Sequence, residues 1–537
     1  MRTPSDDASV SFSRRAALLG AAAGAASLLT QSPASAAPVQ PARVGHLQSG
    51  STYPFRGRRR PPIPDPQVRH MLTRFTAGVN AERLADVDAA GGVDAWFEQQ
   101  LSPNDIPDHE ADQMWSWFPA LALTPLQKWE RYKSGTEDGW QMMQDLANWI
   151  MLRRLLTNRQ VEEMMVDFWS NLLHVVSPAT SGIWVWRVEY EEMIRKHALG
   201  KFDDLLQAAI RHPAMGMYLS NVESTAEAIN ENLGREVLEC HTVGIDGGYT
   251  EDEVIDSARI LTGFHVDENK TWEGSYVPAD HWVGRVKVMG YTSPNSSRHG
   301  LPVLTEYLSY LAHHPATALR LCRRLAVRFV SDNPSDTLVK TLAHVYLNAD
   351  TDIVPVLQVM VATNEFKNST MQKVRTPVED ALATWTAARA TISRPRHDQD
   401  AGNQLVNVTR SIGQVVYDWP SPNGFPDVAP AWTGSGRILA SIRAHWWTAS
   451  GWFPNQGISY PDPIDWMPTL PATFADVIAY VVANTLFIDC TDTMLKAACA
   501  ATDIAADAQI TKTHPLITYK FPRFMVSILD AAEHLMR

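Results

Sequence analysis

The sequence predicts a mainly α fold: one large multi-helix domain with a few short strands. Three observations carry that expectation. From Arg69 onward apolar residues recur at helical spacing. Helix starts recur as a capping residue followed by proline or by a capping box. Alternating strand patterns are scarce.

In chain order, Thr124-Pro125 offers a cap with proline at the first helical position, and Thr157 with Gln160 reads as a capping box opening the run through Met164, Met165, Phe168 and Trp169. Trp184 to Val188 has a strand-like flavour, as does Tyr276 to Met289. His212-Pro213, His314-Pro315 and Thr376-Pro377 each precede an apolar helical pattern. Thr250 with Glu253 is a second box, its helix carrying Val254, Ala258 and Leu261 on one stripe and stopping at Gly263. About 470 residues exceed what one core usually organises, so several helical layers or two intimately packed lobes are expected.

The composition agrees. Of 537 residues 45% are hydrophobic and 20% charged, enough to bury a large core, which excludes disordered and low-complexity classes. A net charge of −12 repels nucleic acid and anionic membrane. Four cysteines are too few for a disulfide framework, and no CxxC pair marks a zinc or redox centre. Cys490 and Cys499 could close a disulfide after export, whereas Cys240 and Cys322 lie in apolar helical settings. No GxSxG elbow, Walker loop or strand-borne GxGxxG is present, and no motif specifies a cofactor.

Residues 1–36 read as an export signal: Arg14 and Arg15, an apolar run from Ala16 to Leu29, then Ala34-Ser35-Ala36. The run is well short of the roughly 20 residues that span a bilayer, so a cleaved leader and no membrane anchor is expected. Ser13-Arg14-Arg15 resembles the twin-arginine signal, although Ala16 to Leu19 depart from its later positions; a general secretory leader is the alternative. Residues 37–67, rich in proline and arginine, read as a linker, and 68–537 as the helical domain of a secreted, extracytoplasmic protein.

For chemistry, the most informative stretch is Asn230 to Gly263. At about 100° per residue, Glu231, Asn232, Arg235, Glu236 and Glu239 fill one arc of a helix, with Ile229, Leu233, Val237 and Cys240 opposite. Facing a cleft, crowded carboxylates would supply a protonated acid and an ionised base; facing water, they are a salt-bridged surface. Glu236 and Glu239 are the acid/base candidates, Arg235 their tuner and His241 an assistant. Asn232, Trp184 and Trp186 are candidate substrate contacts, since indole faces stack on sugar rings. The alternative for His241 is a metal site with His281 and Asp280, in which Glu239, His265 and Asp267 could join.

Arg195 to Phe202, His212 to Met215, Asn230 to Gly263, His314 to Thr317 and Pro422-Asn423-Gly424 together resemble the bacterial family catalogued as domain of unknown function 1800, DUF1800, from about residue 68 to the end. The resemblance implies an exported protein, often encoded beside a second exported family, DUF1501, that looks like sulfatases and alkaline phosphatases. It brings no catalytic residues. Two positions depart from the family pattern: Leu172 follows Phe168-Trp169-Ser170-Asn171, with His174 two positions later, and Trp282 follows His281. The leading expectation is an extracytoplasmic hydrolase acting on a polymer such as a glycan. The rival is a non-catalytic secreted scaffold or wall-binding protein partnering a DUF1501-type protein, and a metal-dependent or redox protein loaded before export is a third.

Overall fold

The computed structural model describes residues 52–53, 63–177, 182–396 and 400–537. The leader, and the linker up to residue 62 except Thr52 and Tyr53, lie outside them. The first helix, α1 (Pro66–Phe75), starts inside the expected linker because the Asp65 side chain accepts from Gln67 N at 2.8 Å, with proline at N1.

Eight further helices position the sites: α2 (Gly139–Leu156), α3 (Gln160–Leu172), α4 (Arg187–His197), α5 (Glu251–Ile260), α6 (Pro315–Phe329), α7 (Pro377–Ala387), α8 (Ser435–Ser450) and α9 (Phe521–Leu529). Strands occur only as two-stranded antiparallel pairs among the described residues. The two longer pairs follow α5: β1 (Phe264–Val266) with β2 (Gly274–Tyr276), and β3 (Val286–Val288) with β4 (Tyr291–Ser293). All described residues belong to one unit beginning at Ser51, and their buried apolar side chains gather in three clusters. Among these residues no helix is long and apolar enough to cross a membrane.

Local signals placed most helix starts. Thr250 with Glu253 forms its capping box, and so does Thr376 with Glu379 at the head of α7. His212 and His314 cap their helices through the imidazole, each accepting the backbone N–H two residues on at 3.2 Å. Two expectations fail. Thr157 donates to the Asp108 carboxylate instead of capping α3, and the Gln160 amide bonds Ala77 N, Arg154 O and Thr157 O. Trp184 to Val188 is no strand: Gly182, at φ +81°, opens a 3-10 turn over Ile183–Val185 that runs into α4. Ile183, Trp184 and Val185 are all buried, so their apolar character reflects a turn surrounded by core rather than a sheet with one wet face.

The interior also holds a chain of paired charges. Glu163 of α3, with no exposed surface, lies between Arg153 of α2 at 2.6 Å and Arg195 of α4 at 2.5 Å. Arg195 also meets Glu191 at 3.2 Å, Tyr417 donates its hydroxyl to Glu191 at 3.4 Å, and Arg154 donates to that hydroxyl at 3.2 Å. Asp167 then links Arg154 (2.8 Å) to Arg328 of α6 (3.0 Å), which reaches Glu379 of α7 at 2.9 Å. Arg537 closes on Glu379 at 3.1 Å. Burial works to raise the Glu379 carboxyl, but Arg328 and Arg537 outweigh it and hold it at about 2.

Removing one partner from such a chain leaves an uncompensated charge in a dehydrated interior. Glu163→Gln is therefore expected to lower the unfolding free energy by about 3–5 kcal/mol, read from denaturant titrations. A loss below about 1 kcal/mol, the range of exposed pairs, would contradict the network's importance.

Candidate functional site

The acidic helix is shorter than its sequence pattern. Only Asn232–Glu236 is α-helical; Val237–His241 forms a π turn, which breaks the single arc. Gly234 seats the helix on α5, where a Cβ would come within 2.6 Å of Ala258 N, and Ser257 donates to its carbonyl at 3.0 Å. Arg320 of α6 donates to the carbonyls of Cys240 and Thr242, at 2.6 and 3.2 Å, at the end of the turn.

Arg235 makes the expected pairs with Glu231 at 3.7 Å and Glu239 at 3.3 Å, but its shortest partner is Glu251 of α5, at 2.5 Å. Glu231 and Glu251 are more than half exposed, so this part of the face is a solvated ion cluster. Glu236 behaves differently. Burial raises its carboxyl, a hydrogen bond from the Cys240 thiol opposes that, and Oε2 is buried without a partner. Cys240 is itself pushed up to about 12 by burial and by Glu236.

The other candidates are scattered. His241 is buried, with Nδ1 3.0 Å from Leu172 O. His281 is buried with Nδ1 3.2 Å from Thr262 O and Nε2 3.0 Å from Asn295 Oδ1. Asp280 pairs at the surface with His265, at 2.9 Å. These three do not converge. Asn232 is exposed, Trp184 is buried beside Trp129 and Tyr132, and Trp186 is half-buried with its edge on His212. Neither these residues nor Arg235, Glu236 and Glu239 line any of the five main clefts. Cys490 and Cys499 are separate thiols.

A different place has the form of a binding site. A cleft of about 460 Å³ lies between α6 and the loop from Tyr417 to Val428. Asn171 of α3 brackets that loop, accepting Phe425 N at 2.6 Å and donating to Phe425 O at 2.9 Å. Only glycine fits at Gly424, at φ +70°, because a Cβ there would come within 2.1 Å of Asn171 O. His174 Nε2 lies 2.8 Å from Trp419 O, and Ser177 N donates to Tyr417 O at 2.9 Å. Thus Phe168-Trp169-Ser170-Asn171 and Pro422-Asn423-Gly424, some 250 residues apart in sequence, meet in one clamp.

The clamp presents Trp419, with Nε1 donating to Asn423 at 3.0 Å and its ring 5.0 Å from Phe425. Arg323 and Arg324 face this loop from α6, while Arg154 and Arg328 lie deeper. Against these four arginines the lining holds two aspartates, Asp167 and Asp427, leaving two positive charges on a chain that is strongly acidic overall. Arg323 pairs with Asp336 at 2.5 Å where both are exposed. Arg324 is half-buried and has no ion pair or hydrogen bond to any described residue. Burial lowers its pKa, with Asp427 and Cys240 opposing.

A family model described as a protein of unknown function, DUF1800, matches residues 70–532. The chain belongs to the DUF1800 family. The match covers every helix named above except the first residues of α1 and includes both halves of the Asn171 clamp. No curated protein and no solved structure matches this DUF1800 chain.

Three buried histidines of this DUF1800 chain, His174, His241 and His70 of α1, are held neutral by burial, at about 4, 3 and 4. Their folded values lie below the ordinary 6.5, so the stability they contribute is complete above pH 6.5 and is lost as pH falls toward 3–4. Each is expected to steepen the loss by about 1.4 kcal/mol per pH unit across that window. Denaturant unfolding from pH 7.5 to 5 checks this; a flat profile would contradict it.

Proposed function

We propose that this protein is an exported, non-catalytic binding module that seats an anionic carbohydrate, such as a charged segment of a wall polymer, in the Arg323–Arg324 cleft. The observation that carries the reading is Arg324, a half-buried guanidinium in no ion pair or hydrogen bond with a described residue, facing a clamped loop that presents an indole, a phenyl ring and the Asn423 amide. A guanidinium fork suits carboxylate, sulfate or phosphate, and aromatic faces suit sugar rings. The cleft offers no free acid/base pair, since Asp167 and Asp427 are both engaged by arginine, and Asp427 also by Lys373. The twin-arginine-like leader supports export, and chemistry on the polymer would then fall to a partner of the DUF1501 type.

Trp419 supplies the signal for a test. Titrating uronic-acid, sulfated and phosphodiester oligosaccharides is expected to change its emission, and Arg324→Gln to weaken binding at least tenfold with unchanged or raised thermal stability. Equal affinity in wild type and variant would remove the cleft from consideration.

One observation favours a hydrolase instead: Glu236, half-buried, raised by burial and with an unpartnered oxygen, has the environment of a general acid. Reducing ends released from neutral and acidic glycans would support this reading if Glu236→Gln abolished the release with folding intact. Unchanged release by the variant would end it.

A further inference from the structure

Away from the cleft, α7, α8 and the residues after α9 bring together three side chains whose chemistry the binding function does not use. Asp380, His445 and His534 are fully or almost fully buried, and one donor atom of each lies within 4.8 Å of the others. They come from positions 65 and 89 residues apart, so no sequence spacing announced them. Asp380 Oδ1 is 3.1 Å from His445 Nε2 and 4.0 Å from His534 Nε2.

Those separations leave room for a shared ion. A proton on His445 Nε2 satisfies Asp380 Oδ1, but 4.0 Å to His534 is beyond hydrogen bonding. An ion about 2.0–2.2 Å from each donor spans donor pairs up to roughly 4.2 Å apart. Both separations from Asp380 fall under that ceiling.

The surrounding groups are those that orient metal ligands. His445 Nδ1 lies 2.6 Å from Asp530, which directs Nε2 inward as in a carboxylate–histidine–metal relay. The other oxygen of Asp380 accepts from Ser441 at 2.6 Å and Arg437 at 3.2 Å, leaving Oδ1 to the centre. Thr384 Oγ1 is hydrogen-bonded to His534 Nε2 at 3.0 Å, a bond that an ion on Nε2 would displace.

We propose that Asp380, His445 and His534 bind one divalent first-row transition ion, zinc being the best match to two imidazoles and a carboxylate. None of the three lines a main cleft, so the site is structural: it ties α7 to α8 and to the segment carrying His534. It is independent of the carbohydrate reading, because none of its residues touches that cleft.

The test uses the full chain purified without a polyhistidine tag, stripped with a chelator and reloaded with Zn²⁺ or Co²⁺ alone. Expected are one ion per chain by elemental analysis, visible Co²⁺ d–d absorption, and a melting temperature raised by Zn²⁺. His534→Gln should abolish the absorption. Asp530→Asn, an isosteric change at a quarter-exposed position, should weaken Co²⁺ affinity about 10–100-fold while the chain stays folded. Failure of the stripped wild type to take up either ion, or Co²⁺ affinity unchanged in Asp530→Asn together with unchanged absorption in any folded His534→Gln, would overturn the proposal.

Discussion

The buried ion pairs that meet at the first turn of α7 are the constraint on which the rest of this structure depends. Glu379 joins Arg328 to Arg537 at 2.9 and 3.1 Å, more closely than Asp427, which also reaches both, and through Arg328 and Asp167 it is continuous with the charges of α2, α3 and α4. Dehydrating so many ions is unfavourable unless each one finds its partners. Because the pairs of Arg328 and Arg537 join segments far apart in sequence, those charges are satisfied only in the assembled fold. The helices must dock together, and the network selects one arrangement more than it adds net stability.

The cleft is built on top of that network. Arg328 and Arg154 form its floor, with Asp167 and Asp427 already neutralising them, and this leaves Arg324 one turn away as a cation in no ion pair with a described residue. The opposite wall is held by Asn171 and His174, both on the chain that also supplies Asp167. Rigid support of this kind fixes the indole, the amide and the guanidinium relative to one another without a ligand present.

What the sequence revealed and what it concealed divide by range. The capping box at Thr250 and the helix starts at His212-Pro213, His314-Pro315 and Thr376-Pro377 need only residues one to three positions apart, so they were legible; that the two imidazoles do the capping is seen only in the structure. Thr157 looked identical locally, but Asp108, forty-nine residues earlier, claims its hydroxyl. The acidic helix repeats the lesson. Its i,i+4 pairs were readable, while Glu251, which draws Arg235 outward, belongs to the next helix. The Asn171 clamp and the Asp380 cluster join positions with no periodic relation, so only the fold could bring them together; the signals available were the Phe-Trp-Ser-Asn and Pro-Asn-Gly blocks as separate patches.

The adjacent carboxylates Glu379 and Asp380 have opposite destinations: one enters the arginine network, the other the histidine cluster beside α8. On a helix they diverge by about 100°, and the Thr376 cap with Pro377 sets where that rotation begins. That cap is an indexing pin. It clocks α7 so that both acids reach their sockets at once, and slipping the helix by a single residue would unplug the two together, so this turn tolerates no insertion or deletion.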